Sequence, residues 1–179
     1  LSCEKDLAKW LQIPSAGSQL LEDENVQAGL GQVAKKNANE LPSLTTGNKK
    51  VALIIGNAEY KNRPLKNPTH DADDISKFLS SNGFTVINLR NADLQTMNSG
   101  ISKFSEDLKS NSVGLVYYSG HGIEYNGRNY LIPVNTSIND EDDIPRQTVD
   151  ASTLVEKVGR SDKKVNIFII DACRNNFVQ

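Results

Sequence analysis

His121 and Cys173 are the two residues of this chain whose types and spacing suggest chemistry together. VGLVYYSGHG (113–122) and VNIFIIDACRN (165–175) are short apolar runs of β-type residues, and each gives way to small and polar residues. The histidine and the cysteine are expected just past the strand ends. In an open α/β sheet reactive groups gather outside the carboxyl ends of parallel strands, so two such ends can bring distant residues within hydrogen-bond reach. A thiol is mostly protonated near neutral pH, at a pKa of about 8.5, and a neighbouring imidazole is the usual means of activating it. With only two His and two Cys in 179 residues, few rival pairings exist. A cysteine behind a buried strand can equally be a small hydrophobe, and only the imidazole partner turns the reading toward catalysis. Gly120 and Gly122 flank His121. They are expected to let the main chain turn sharply and to leave the Gly122 N–H able to approach a bound carbonyl as an oxyanion donor.

The elements that must position this pair begin at Lys49. KKVALIIGN (49–57) reads as a buried strand, HDADDISKFLSSNG (70–83) as a helix with Gly83 past its end, and FTVINL (84–89) as the next strand. Asp93 caps a second helix over 93–110, whose Leu94, Met97, Ile101, Phe104 and Leu108 keep one apolar face. After the strand at 113–118, IEYNGRNYLIPV (123–134) carries Asn126-Gly127, a strong hairpin signal. The acidic loop NDEDD (139–143) leads to Asp150 as N-cap of a third helix, ASTLVEKVG (151–159), and then to the strand ending at Asp171. This order predicts an α/β fold, a mostly parallel sheet with helices on both faces.

Residues 1–48 differ in texture. Leu7, Trp10 and Leu11 fall at helical spacing, a second helical stretch could run from Leu20 to Ala38, and LPSLTTGN (41–48) reads as a linker. The expected organisation is an N-terminal helical arm or prosegment with linker over 1–48, then a catalytic domain over 49–179. A formal charge of −2 gives no basic footprint for nucleic acid. No apolar run approaches the ~20 residues needed to span a bilayer. Cys3 and Cys173 lie at opposite ends of the chain and in no ligand-like cluster, against both a disulfide framework and a structural zinc site. A reducing, cytoplasmic location is the default expectation. Mean hydropathy is −0.46, as for a chain with one sizeable core.

Taken together, VALIIGN, LKNPTHDADDI, YYSGHG and IFIIDACRN make the chain resemble the large catalytic subunit of the caspase-like cysteine peptidases, the group of caspases, metacaspases, paracaspases and orthocaspases. The resemblance covers about residues 49–177. It implies a three-layer sandwich and a Cys173–His121 dyad. The caspase signature Q-A-C-[RQG]-G, with its His about 50 residues upstream, is kept in spacing and altered at both flanks. Asp171 stands where caspases have Gln, and Asn175 where they have Gly. An Asp two residues before the Cys is similar to metacaspases and paracaspases, whose pocket for the residue before the scissile bond is acidic and receives Arg or Lys. On that resemblance Asp171 and Asp71 are the acidic pocket residues and Ser119 the small wall residue. Asp71, with Asp73 and Asp74, could also simply favour a helix N-terminus. Arg63 and Lys66 lie in the same loop, where a caspase keeps a basic pocket residue, so an aspartate-directed pocket is the alternative. A catalytically silent interaction module is another.

The resemblance invites comparison with the calcium sites of many metacaspase-type relatives, but NDEDD gives no residue-by-residue match and no EF-hand pattern, so no cofactor and no metal site are expected, with calcium the open alternative. The last strands of the family's sheet belong to a small subunit beyond the catalytic cysteine. The partners implied are therefore protein or peptide substrates and a small subunit or downstream segment that completes the fold. A receiver-like or nucleotide-binding domain is disfavoured by the absence of GxxxxGK[ST] or GxGxxG after the first strand.

Overall fold

In the computed structural model, residues 49–109, 113–159 and 165–174 are described, and the expected arm over 1–48 lies outside them. The elements run β1 (Lys50–Gly56), α1 (Pro68–Ser81), β2 (Phe84–Arg90), α2 (Leu94–Lys109), β3 (Val113–Tyr125), β4 (Arg128–Leu131), α3 (Asp143–Gln147), β5 (Val149–Asp150), α4 (Ala151–Gly159) and β6 (Val165–Arg174).

Strand β1 is apolar on both faces because both are covered, as expected for a central parallel strand. Val51, Leu53 and Ile55 enter one core with Met97, Phe104, Val116, Tyr118 and Leu154, under α2 and α4. Ala52 and Ile54 enter a second with Ala72, Leu79, Leu115 and Tyr117, under α1. Helices therefore cover both faces of a mixed sheet, the layered α/β architecture the alternation predicts. The sheet order is β2-β1-β3-β4-β5, with β6 on β3. Strands β1, β2, β3 and β6 run parallel, while β4 and β5 join antiparallel.

Local sequence explains the punctuation. Helix α1 starts two residues earlier than its periodicity suggests because Pro68 occupies its first turn, where a missing N–H costs nothing. It stops at Gly83, whose φ of 80° suits a residue without Cβ. Asp93 caps α2 by accepting from Thr96 N at 2.8 Å. Asp150 does the same for α4, accepting from Ser152 N at 2.8 Å. Asn126 and Gly127, at φ 48° and 72°, turn β3 into β4.

One expectation is corrected. The segment after Tyr118 does not leave the sheet: β3 continues unbroken through Ser119, Gly120, His121 and Gly122 into the hairpin. Likewise β6 runs past Asp171 to Arg174. His121 and Cys173 thus lie within strands, not beyond them. Gly120 and Gly122 are absent from the positive-φ residues, so neither makes a turn. Gly120 serves space instead, since a Cβ there would come 2.6 Å from the Tyr60 hydroxyl and 2.7 Å from that of Tyr118.

Gly56 is a second close approach, where a Cβ would meet the Pro68 carbonyl oxygen at 2.4 Å and Ala72 Cβ at 2.7 Å. Both neighbours belong to α1, so the helix would have to move off β1. Gly56→Ala is expected to destabilise the domain by about 1–3 kcal/mol, read as a lower urea midpoint with unchanged m-value.

Candidate active site

The parallel pairing of β3 with β6 builds the site. Its register places Ser119 opposite Asp171, Gly120 opposite Ala172, His121 opposite Cys173 and Gly122 opposite Arg174. Neighbouring strands lie about 4.8 Å apart, so the imidazole-bearing and thiol-bearing residues are direct lateral neighbours. Gly122 is buried, in register with Leu131 of β4 as well as Arg174 of β6. It therefore lies inside β3, at the end rung that β3 shares with β4 and with β6.

His121 is 3% exposed and gripped from several sides. Its Nε2 lies 2.7 Å from the carbonyl oxygen of Arg63. A carbonyl can only accept, so Nε2 carries the proton and the lone pair of the neutral ring falls on Nδ1. Arg63 holds that carbonyl in place from a left-handed conformation, φ 62°. The main chain of His121 is fixed as well. Its N–H donates to the Tyr60 hydroxyl at 3.0 Å. Its carbonyl accepts from the Tyr118 hydroxyl at 2.7 Å and from Ile132 N at 3.0 Å.

The loop after β1 that supplies Tyr60 and Arg63 is held by two asparagines. Asn57, fully buried, accepts from Ala92 N at 2.8 Å and donates to the carbonyls of Ala92 and Ile132, each at 3.3 Å. Asn91, at φ 49°, accepts from Ala58 N at 2.9 Å and Glu59 N at 3.1 Å. The loop also closes on itself, the Ala58 carbonyl accepting from Tyr60 N at 3.0 Å and Leu65 N at 2.9 Å.

Beside His121 an open pocket of about 360 Å³ is lined by Leu65, Lys66, Asp71, Ser119, His121 and Asp171, among others. The three residues expected to bind substrate thus come together next to the histidine. Asp71 comes from the first turn of α1 and is half-buried, Ser119 is buried on β3, and Asp171 is exposed on β6. Tyr117 reports their convergence. Burial pushes its phenol up, against a hydrogen bond with Ser119, and the carboxylates of Asp171 and Asp71 push it further. Of the two basic residues of this loop, Lys66 lines the pocket, whereas Arg63 reaches the site through its carbonyl. Sequence reasoning did not reach Tyr60, Tyr118, Asn57 or the Arg63 carbonyl. The GNAEY run directly after β1 was the signal available for the first of these. Among the described residues no group of three or more His, Cys, Asp or Glu is placed to hold a metal ion. None of the described helices is long and apolar enough to cross a membrane.

The family described as "Caspase domain" matches residues 49–179. Two curated proteins are similar over 126 residues at 29% identity: human mucosa-associated lymphoid tissue lymphoma translocation protein 1 and its mouse homolog. That alignment takes in 70% of this chain, which spans about 15% of the length of either relative.

Burial pushes the His121 imidazole below its ordinary value, and the nearby Arg63 charge adds to that, against the raising effect of the Arg63 carbonyl. The folded chain therefore binds a proton here less readily than the unfolded chain, whose histidine titrates near about 6.5. The stability contributed by the neutral ring is complete above that value and is lost as pH falls through the lower folded value. The urea midpoint is expected to drop from pH 7 to pH 5 more steeply in the wild type than in His121→Asn. Equal slopes would show that His121 is not held neutral by its surroundings.

Proposed function

Because the chain belongs to the caspase-domain family of cysteine peptidases, we propose that it is a cysteine endopeptidase cleaving after Arg or Lys. The observation that carries this reading is the β3–β6 register, which sets His121 beside Cys173 and Ser119 beside Asp171 at the same end of the sheet. Cys173 is the nucleophile. His121 takes the thiol proton at Nδ1, the thiolate adds to the scissile carbonyl, and the protonated imidazole returns the proton to the leaving amine. Water, deprotonated by the same Nδ1, then releases the acyl group. The Cys173 and Gly122 N–H groups serve the oxyanion. For the Gly122 N–H, at the end rung of the β3–β6 ladder, that role requires a carbonyl to approach at that end of the paired strands.

Specificity follows from charge. Among the described lining residues, Asp71 and Asp171 give the pocket two carboxylates against the ammonium of Lys66, and a planar guanidinium can bridge carboxylates bidentately. A substrate aspartate would face them unpaired. Lys should be cleaved more slowly than Arg, since an ammonium makes no such fork. Val165, Ile167 and Ile169 leave one face of β6 exposed, at 60%, 40% and 43%, which supports a small subunit or downstream segment as a partner covering it.

A peptide panel varied only at the residue before the scissile bond, offered to the full-length protein, is expected to favour Arg over Asp by about a hundredfold or more. Preference for Asp would overturn the pocket assignment. Cys173→Ala and His121→Ala should each remove nearly all turnover, and the double variant should lose little more, because the two act as a unit. Substantial turnover by either single variant would sink the dyad. Asp171→Asn and Asp71→Asn should each lower kcat/KM for Arg peptides by about 10- to 100-fold while Cys173 still reacts with a small thiol reagent. A wild-type protein inert both to peptides and to electrophilic thiol probes would instead identify a silent interaction module.

A further inference from the structure

We propose that Tyr60 is a positioning residue for His121, its ring fixing the plane of the imidazole and its hydroxyl fixing the main chain that carries it. The catalytic consequence rests on the peptidase reading above; the structural claim does not.

Tyr60 meets His121 in two ways at once. Its ring centroid lies 4.4 Å from that of the imidazole, at an interplanar angle of 51°. Its hydroxyl accepts the His121 N–H at 3.0 Å and donates to the Ile132 carbonyl at 3.0 Å. The hydroxyl of Tyr118 lies 3.3 Å away and completes a buried polar cluster. Tyr60 is 7% exposed, and burial pushes its phenol up, so it remains an O–H that can donate and accept together. Three residues later the same loop delivers the Arg63 carbonyl to Nε2. One closed loop therefore holds His121 by a ring contact, by one ring nitrogen and by its own peptide N–H. With the ring in tilted contact with Tyr60 and Nε2 tied to Arg63, rotation of the ring is opposed, and Nδ1 stays the basic atom.

Among the described residues, the charged and titratable groups around the ring are Arg63 and Lys66 of the loop, Asp71 of α1, Tyr118 of β3 and Asp171 of β6, and the strand register sets Cys173 opposite His121. Removing the Tyr60 ring lets water reach the imidazole without altering any of these charges. The expected signature is a rise in the His121 titration midpoint and a loss of the Nε2–H tautomer, not merely a loss of stability.

The test uses the full chain with ¹⁵N-labelled histidine rings, in a Cys173→Ala background so that the thiol does not titrate. His70 is the only other histidine and is assigned by its own substitution. Tyr60→Leu is expected to raise the His121 midpoint and to reduce the Nε2–H population. Tyr60→Phe is expected to keep both, yet to speed amide exchange at His121 about tenfold or more by removing the acceptor of its N–H. With Cys173 present, Tyr60→Leu should lower kcat about tenfold or more at nearly constant KM, and Tyr60→Phe should restore most of it.

A Tyr60→Leu protein with an unchanged midpoint and tautomer would overturn the proposal. So would variants that only lower the unfolding midpoint. If Tyr60→Leu does not fold, the amide exchange of Tyr60→Phe decides, and exchange at the wild-type rate overturns the claim. A wild type without peptidase activity would defeat the reading of function, while the ring titration would still decide whether Tyr60 positions the imidazole.

Discussion

A buried strand that changes neighbours must keep each peptide N–H and C=O paired while it does so. Strand β3 faces that demand between Ser119 and His121. Up to Ser119 its edge is served by β1, the last rung being Asn57 N to the Ser119 carbonyl at 2.9 Å. From His121 onward the edge is served by β4, beginning with Ile132 N to the His121 carbonyl. At the junction side chains replace a strand. The Tyr60 hydroxyl takes the His121 N–H, and the Ile132 carbonyl accepts from Asn57 Nδ2 and from the Tyr60 hydroxyl, with the Tyr118 hydroxyl 3.1 Å away. The opposite edge of β3 stays on β6 throughout, which keeps His121 and Cys173 in register. The site therefore depends on satisfying one backbone seam.

That dependence explains where sequence reasoning succeeded and where it failed. The two β-type runs, the helix starts at Asp93 and Asp150, and the Asn126-Gly127 turn all have local chemical causes, so the sheet and its helices were legible, whereas the convergence of Asp71, Ser119 and Asp171 was expected only from the resemblance to caspase-like peptidases and the earlier start of α1 at Pro68 was not foreseen. The continuation of β3 was not. Gly-His-Gly after an apolar run reads as a breaker, and the reason Gly120 stands in a strand lies in Tyr60 and Tyr118, whose hydroxyls fill the space a side chain there would need. A contact across 58 residues of chain, such as that between Tyr60 and Tyr118, leaves no periodicity to detect.

The basic residues of the loop after β1 carry a related lesson. By type, Arg63 and Lys66 suggest counter-charges for a carboxylate substrate. In the fold their contributions differ in kind, one lining the pocket and the other lending its peptide group to the histidine. Side-chain chemistry predicts a pocket's charge well and says nothing about which carbonyl a loop will present. That choice belongs to Asn57 and Asn91, which set where the loop leaves β1, and to the left-handed turn of the chain at residue 63.

Alanine scanning would pass over this contribution. Every amino acid owns a carbonyl, so trimming Arg63 to Ala removes a guanidinium and leaves the group that holds Nε2. What the position must supply is a dihedral angle, and the informative replacements are those that change the cost of φ near 60°: glycine or asparagine, which accept it readily, and valine or isoleucine, which resist it. A mutational map built on side-chain loss would record at residue 63 only what the guanidinium does, while the backbone there continued to orient the imidazole.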